Sequence, residues 1–179
     1  MKAARLMLVS LLLSGCASVS SKVGDPPTTN PTVNPAGNSA VDSPDWWKTV
    51  TAPLGGEQIV SADSFAVIVP RSDVDLESEM GQIPVSAGIA SRFYFFRCPC
   101  GKVKLLGEFL ARDYEADEVI DALRSGQFTV VSMSPILENT RPTMMSIRFQ
   151  AEGEADDLVR TLRKALDVCA RHSKNDADD

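Results

Sequence analysis

Residues 45–171 carry two hydrophobic periods, and the stretches before and after carry neither. Phe65, Val67 and Val69 alternate with polar or small residues, which predicts a strand over Ser64 to Val69. Arg92 to Arg97 and Lys102 to Leu110 read as two more strands, joined by the turn Cys98-Pro99-Cys100-Gly101. Ala116, Val119, Ile120 and Leu123 recur at helical spacing, with Asp113 as the cap and Gly126 as the stop. Phe128 to Met133 has the composition of a buried strand. In Thr143 to Gln150, Met145, Ile147 and Phe149 face one side and Ser146, Arg148 and Gln150 the other. A last helix carries the stripe Ala155, Leu158, Val159, Leu162, Ala165, Leu166 and Cys169. At the front, Ser43 is a candidate cap for a short helix over Asp45 to Leu54, with Pro44 in its first turn and Gly55-Gly56 after it. The order α-β-β-β-α-β-β-α predicts an α+β fold, a mainly antiparallel sheet with helices packed on one face. The ~125 residues involved suffice for one core.

The flanks change the picture of the whole chain. Residues 1–15 combine a positive start (Lys2, Arg5) with a short apolar run, Leu6 to Leu13. That run is too short to span a bilayer, which takes ~20 residues, and it has the layout of a secretory signal. It ends in Leu13-Ser14-Gly15-Cys16, which resembles the bacterial lipobox. The resemblance implies a signal peptide over 1–15 and a covalent lipid on Cys16, the new N-terminus. Ala17, rather than an acidic residue, follows the cysteine, which resembles the pattern of outer-membrane sorting. The expected partner is then a lipid bilayer, and the expected place the periplasmic side of a bacterial envelope. Residues 16–44 hold Pro26, Pro27, Pro31, Pro35 and Pro44 among Ser, Thr and Asn, with no aromatic residue. They read as a disordered tether. Residues 172–179 read as a disordered polar tail, and His172, the single histidine, falls in it. The domain is therefore expected over 45–171.

Charge excludes one class of function. Lys plus Arg is 18 and Asp plus Glu is 24, a net charge of −6. Loss of Lys2 and Arg5 with the signal peptide takes it to −8. Binding to bulk nucleic acid needs a basic face and is excluded as the main activity.

Within the domain, a set of phrases resembles the LppY/LpqO family of envelope lipoproteins, a family of unknown function. They are Asp45-Trp46, Val69-Pro70-Arg71-Ser72-Asp73-Val74, Ile83-Pro84, Gly107-Glu108-Phe109, and the closing helix over Val159 to Asp167. The resemblance spans Asp45 to Cys169. It also implies histidines at Ser134, Ile136, Arg148 and Glu152, with an Asn at Pro135. The chain has none of these. Any chemistry needing imidazole is expected to be absent, and no catalytic residue carries over.

Cysteines supply the remaining candidate chemistry. With Cys16 lipidated, Cys98, Cys100 and Cys169 remain. Cys169 lies on an apolar helical stripe, as a buried thiol would. Cys98 and Cys100 leave three readings open: a disulfide across the turn, a soft-metal site for copper with help from Met144 or Met145, or a structural turn whose thiols have no specific role or one of which pairs with Cys169. Arg97 and Lys102 flank the pair and favour thiolates. Asp73, Asp75, Glu77 and Glu79 alternate, which places them on one face of an extended segment, read as a solvated edge. No G-x-S-x-G, H-E-x-x-H, P-loop or G-x-G-x-x-G is present. The sequence therefore points to a non-catalytic module binding a ligand or an envelope protein, with a thiol-based copper or redox protein as the alternative.

Overall fold

The expected alternation of Phe65, Val67 and Val69 forms a central strand of a six-stranded sheet. The structure, a computed structural model, describes residues 44–61, 64–98 and 101–177. In chain order these residues form α1 (Pro44–Thr51), β1 (Glu57–Val60), β2 (Ser64–Pro70), β3 (Leu76–Ser78), β4 (Gly81–Ile83), β5 (Ala90–Arg97), β6 (Val103–Arg112), α2 (Ala116–Ser125), β7 (Thr129–Pro135), β8 (Met144–Gly153) and α3 (Ala155–Ala177). Three single turns of tight helix cover Ala52–Leu54, Val85–Ala87 and Asp113–Glu115. The large sheet runs β1-β2-β5-β6-β8-β7, with every pairing antiparallel. β3 and β4 form a separate hairpin. The fold is α+β, as expected.

The inner face of the sheet carries the hydrophobic payload. Phe65, Phe93, Phe95, Leu105, Phe109 and Ile147 are fully buried there against Trp47 of α1, Val119 and Leu123 of α2, and Leu162 and Ala165 of α3. Ring contacts link the layers: Trp47 stacks on Phe65 with centroids 5.8 Å apart, and Phe149 meets Phe93 at 6.2 Å and Phe128 at 5.5 Å. Offset and tilted ring pairs of this kind add to simple area burial. Arg97, the last residue of β5, holds its guanidinium 5.0 Å from the Trp46 ring and 5.7 Å from Trp47, closing the sheet onto α1.

Close approach requires glycine at two places on the sheet. Gly107 lies under the Phe149 ring, where an added Cβ would sit 2.1 Å from the ring. Gly56, at φ +77°, passes so near β2 that a Cβ would meet the Ile68 carbonyl at 2.2 Å. Gly55-Gly56 thus ends the first helix as expected and also lets β1 turn onto β2.

The outer face has a second, smaller core at one end only. There the β3–β4 hairpin folds over the sheet, and Val74, Leu76, Ile89, Leu110 and Met144 bury one another, with Ile83 and Ile136 against them. Neither β1 nor the hairpin is visible as a hydrophobic period, because their strands are three or four residues long. The helix expected from Asp113 opens instead with a tight turn, and Glu115 rather than Asp113 binds the free amide of Arg112, at 2.7 Å. The polar tail expected from residue 172 is also revised. α3 runs on to Ala177, and His172 and Arg171 lie on it, each 3.1 Å from the Glu118 carboxylate of α2. Cross-helix pairing continues the helix where the apolar stripe stops. The Ser43 cap, the tether and the signal segment lie outside the described residues.

Substitution Gly107→Ala forces the buried Phe149 ring out of its place between Phe93 and Phe128. The expected cost is ~1–3 kcal/mol of folding stability, measured by urea unfolding, with a smaller loss for an alanine at Gly153, where an added Cβ would meet nothing closer than 3.7 Å.

Candidate functional site

β2 ends at Pro70 and the chain from Arg71 to Val74 leaves the sheet, so Arg71 has no strand partner of its own. Its amide bonds the Ile89 carbonyl at 3.0 Å, and its side chain turns inward until only 3 % remains exposed. A buried guanidinium must fill all five donors. Arg71 does so. Nε and Nη2 donate to the two oxygens of Asp73, both at 2.8 Å; Nη1 and Nη2 donate to Glu115 at 2.9 and 3.1 Å; and Nη1 also donates to the Leu110 carbonyl at 2.7 Å. Glu115 is fully buried and accepts two further bonds from Arg112, at the backbone amide and from Nη1 at 2.8 Å. Nη2 of Arg112 reaches the Asp73 carbonyl at 2.9 Å. Two cations and two anions thus close into a neutral cluster.

The electrostatics follow from that closure. Burial works against the charge on Arg71, but its hydrogen bonds to Asp73 and Glu115 outweigh burial and hold the group protonated above its ordinary range. Burial would raise the Asp73 carboxyl, yet the Arg71 hydrogen bonds win and hold it below the usual range. Cys169 of α3 borders the cluster. Burial pushes its thiol up to about 12, with the Glu115 carboxylate adding to the rise. Arg71, Asp73, Leu166 and Cys169 line a shallow groove of about 300 Å³. Arg71 and Glu115 spend their hydrogen-bonding capacity inside the cluster, which ties the connector after β2 to β6 and to the turn that opens α2. It is a structural joint.

The positions at which the family resemblance implies histidines carry no imidazole and are spread along the outer face. Ser134, next to last in β7, pairs with Ser146, two residues from Arg148 on β8, and Glu152 is four residues further on. Ile136 is part of the small outer core. Arg148 belongs instead to a polar row across the outer face: Arg92, Glu108, Arg148 and Ser132 are register partners on β5, β6, β8 and β7. Glu108 sits 3.6 Å from both Arg92 and Arg148 and accepts a bond from Ser146 at 2.5 Å. That row is salt-linked and polar. It lacks any imidazole to bind a soft or borderline metal.

The other candidates separate in the same way. Cys98 is disulfide-bonded and Cys169 is a free buried thiol, so Cys169 is not its partner. Cys100 lies outside the described residues. Met144 packs in the outer core and Met145 against the inner one, on opposite faces as alternation requires. Both pair with the Arg112 end of β6, whereas Cys98 follows the β5 residue paired with Val103. The nine-step offset from Val103 to Arg112 along β6 puts the methionines ~30 Å from the cysteine, too far to share a copper ion with it. Among the described residues, no group of three or more His, Cys, Asp or Glu is placed to hold a metal. The acidic alternation from Asp73 to Glu79 is not one edge either. Asp73 belongs to the buried cluster, Asp75 lines a groove with Arg112 and Tyr114, and Glu79 accepts a bond from Asn139 at 3.2 Å. The chain turns at Ser72-Asp73 before it becomes extended at Leu76, so no common face exists.

Sequence reasoning missed the cluster because its members look unremarkable alone. The signal available was the resemblance phrase Pro70-Arg71-Ser72-Asp73, whose charged residues alternate with no amphipathic purpose.

Three outcomes test this geometry. Glu115→Gln strands two buried arginines and should cost ~3–5 kcal/mol in urea unfolding. Stability from the lowered Asp73 carboxyl is present above the ordinary carboxylate pKa and is lost as the pH falls through its native value. Asp73→Asn should therefore lower Tm at pH 7 and flatten its decline below about pH 4. With its thiol near 12, Cys169 holds on the order of 10³-fold less thiolate at pH 8 than an ordinary cysteine. Peptide mapping should show it resisting iodoacetamide in the native protein and reacting in urea.

Against known proteins, the chain matches no curated protein and no solved structure. One family does match, over residues 48–168, from α1 to the last turns of α3 that cover the sheet. That span contains the Arg71 cluster, the hairpin and the whole six-stranded sheet. The chain belongs to the family described as Domain of Unknown Function (DUF1259).

Proposed function

We propose that this chain is a bacterial envelope lipoprotein of the LppY/LpqO type, anchored through a lipid on Cys16, whose domain is a non-catalytic binding module. One observation carries the binding part. The charged groups buried in the domain serve one another, while among the described residues the outer face of the sheet beyond the hairpin is open and chemically mixed. Catalysis by general acid or base needs a positioned group with spare capacity in a cleft. Arg71 and Glu115 spend theirs on one another, on Asp73 and Arg112 and on the Leu110 carbonyl. The anchor rests on Lys2, Arg5, the apolar run to Leu13 and the lipobox-like Leu13 to Cys16. A lipid at Cys16 and a Pro-rich stretch to residue 44 would hold an acidic domain at the periplasmic side of the outer membrane without a polybasic patch. No described helix is long and apolar enough to cross a membrane.

A second reading keeps one observation of its own. Cys98 is disulfide-bonded, and Arg97 and Lys102 flank the turn that holds it, an arrangement that would ease reduction to thiolates and copper uptake. Metal content and thiol counts that do not change in Cys98→Ser/Cys100→Ser remove it.

Membrane fractionation tests the anchor. Cys16→Ala should move the protein from the sedimenting envelope to the soluble fraction, and continued sedimentation overturns the lipoprotein reading.

A further inference from the structure

We infer that the open outer face of the sheet is a self-association surface, on which a second copy of this chain packs face to face. This rests on the binding-module reading and names the partner. An antiparallel sheet with one wet face should alternate cleanly, with polar residues outward. Here Ile59, Ala66, Tyr94 and Leu106 are successive register partners across β1, β2, β5 and β6, all on the outer face. Ile59, Tyr94 and Leu106 are 44, 39 and 49 % exposed. Ile68 and Phe96 stand beside them on the same face. An exposed apolar row of this kind marks a contact surface.

Charge selects the occupant. The outer-face positions of the sheet strands carry Arg92, Lys104 and Arg148 against Glu57, Glu108 and Glu152. The signs balance, although the whole chain is at −6. An anionic lipid surface or a nucleic acid would need a basic patch. A face holding both signs in rows beside an apolar strip complements itself. Under a two-fold operation each residue meets a different residue of the other copy, so a cation can face an anion twice over. The hairpin stands at one end of the face. A copy turned about that axis carries its own hairpin at the opposite end, so the two need not collide.

Size sets the strength. Three outer rows, ~7 Å apart along strands spaced ~4.8 Å, make a patch of about 500 Å² before side-chain relief. That is below the ~800 Å² per partner of a standard interface. The contact should be weak in dilute solution and favoured where two copies share a membrane, because tethering raises their effective concentration.

The test uses the full chain with two different tags, co-expressed in a bacterium, extracted in mild detergent and captured through one tag. Self-association predicts recovery of the other copy, reduced at least tenfold by Leu106→Arg and unchanged by Asp121→Arg on the exposed side of α2. Both variants should keep the parent Tm. A photo-crosslinking residue in place of Tyr94 covers the case in which Leu106→Arg misfolds; it should give an adduct of twice the chain mass containing only this chain. Recovery that ignores Leu106→Arg overturns the inference, as does absence of any recovered copy. A Tyr94 adduct with a different protein overturns self-association and leaves the binding module standing. Absence of any adduct overturns the inference and also the use of this face for binding.

Discussion

The salt cluster around Arg71 is the constraint on which the rest of this domain depends. A guanidinium taken out of water is tolerable only if each N–H finds an acceptor, and Arg71 finds them in three separate parts of the chain. Asp73 comes from the connector after β2, the Leu110 carbonyl from β6, and Glu115 from the turn that opens α2. Arg112 then ties Glu115 back to the connector. The cluster thereby fixes where the helical layer begins relative to the sheet. It also fixes where the chain departs to build the hairpin on the other face. Removal of any one charge leaves the others buried and unmatched, so the four residues act as a unit.

That arrangement divides the domain into two chemically different sides. On the inner side the aromatic residues and the three helices exclude water, and the buried charges are consumed by the cluster. On the outer side the hairpin covers one end, and the remainder presents an apolar row next to a salt-linked polar row. The positions where the resemblance implies histidines fall on or beside this outer surface, and here they carry Ser, Pro, Ile, Arg and Glu. A lipid at Cys16, as proposed, would make weak contacts on this face count, since it restricts the chain to a membrane.

Much of this was legible in the residues. The alternation of Met145, Ile147 and Phe149 in β8, the period in α2 and the stripe in α3 each report a face that must be buried, and each element formed where its pattern ran. The short strands β1, β3 and β4 were illegible because three or four residues carry no measurable period. His172 was misplaced because its helix is continued by Glu118 on another helix, a partner that proximity in sequence cannot reveal. Asp73 looked like one of four alternating acids for the same reason.

The sequence alone determined the class of fold and the burial of its main core, because hydrophobic periodicity is a local property with one physical meaning. It also carried the features from which a lipid anchor is proposed. Only the tertiary structure decided which polar residues would meet. Arg71 and Glu115 are 44 residues apart, and Arg92, Glu108 and Arg148 lie on three strands. Strand order and register created those pairings, and no local pattern specifies register between strands so far apart in the chain. The outer face, where the proposed function resides, is therefore a product of the assembled sheet.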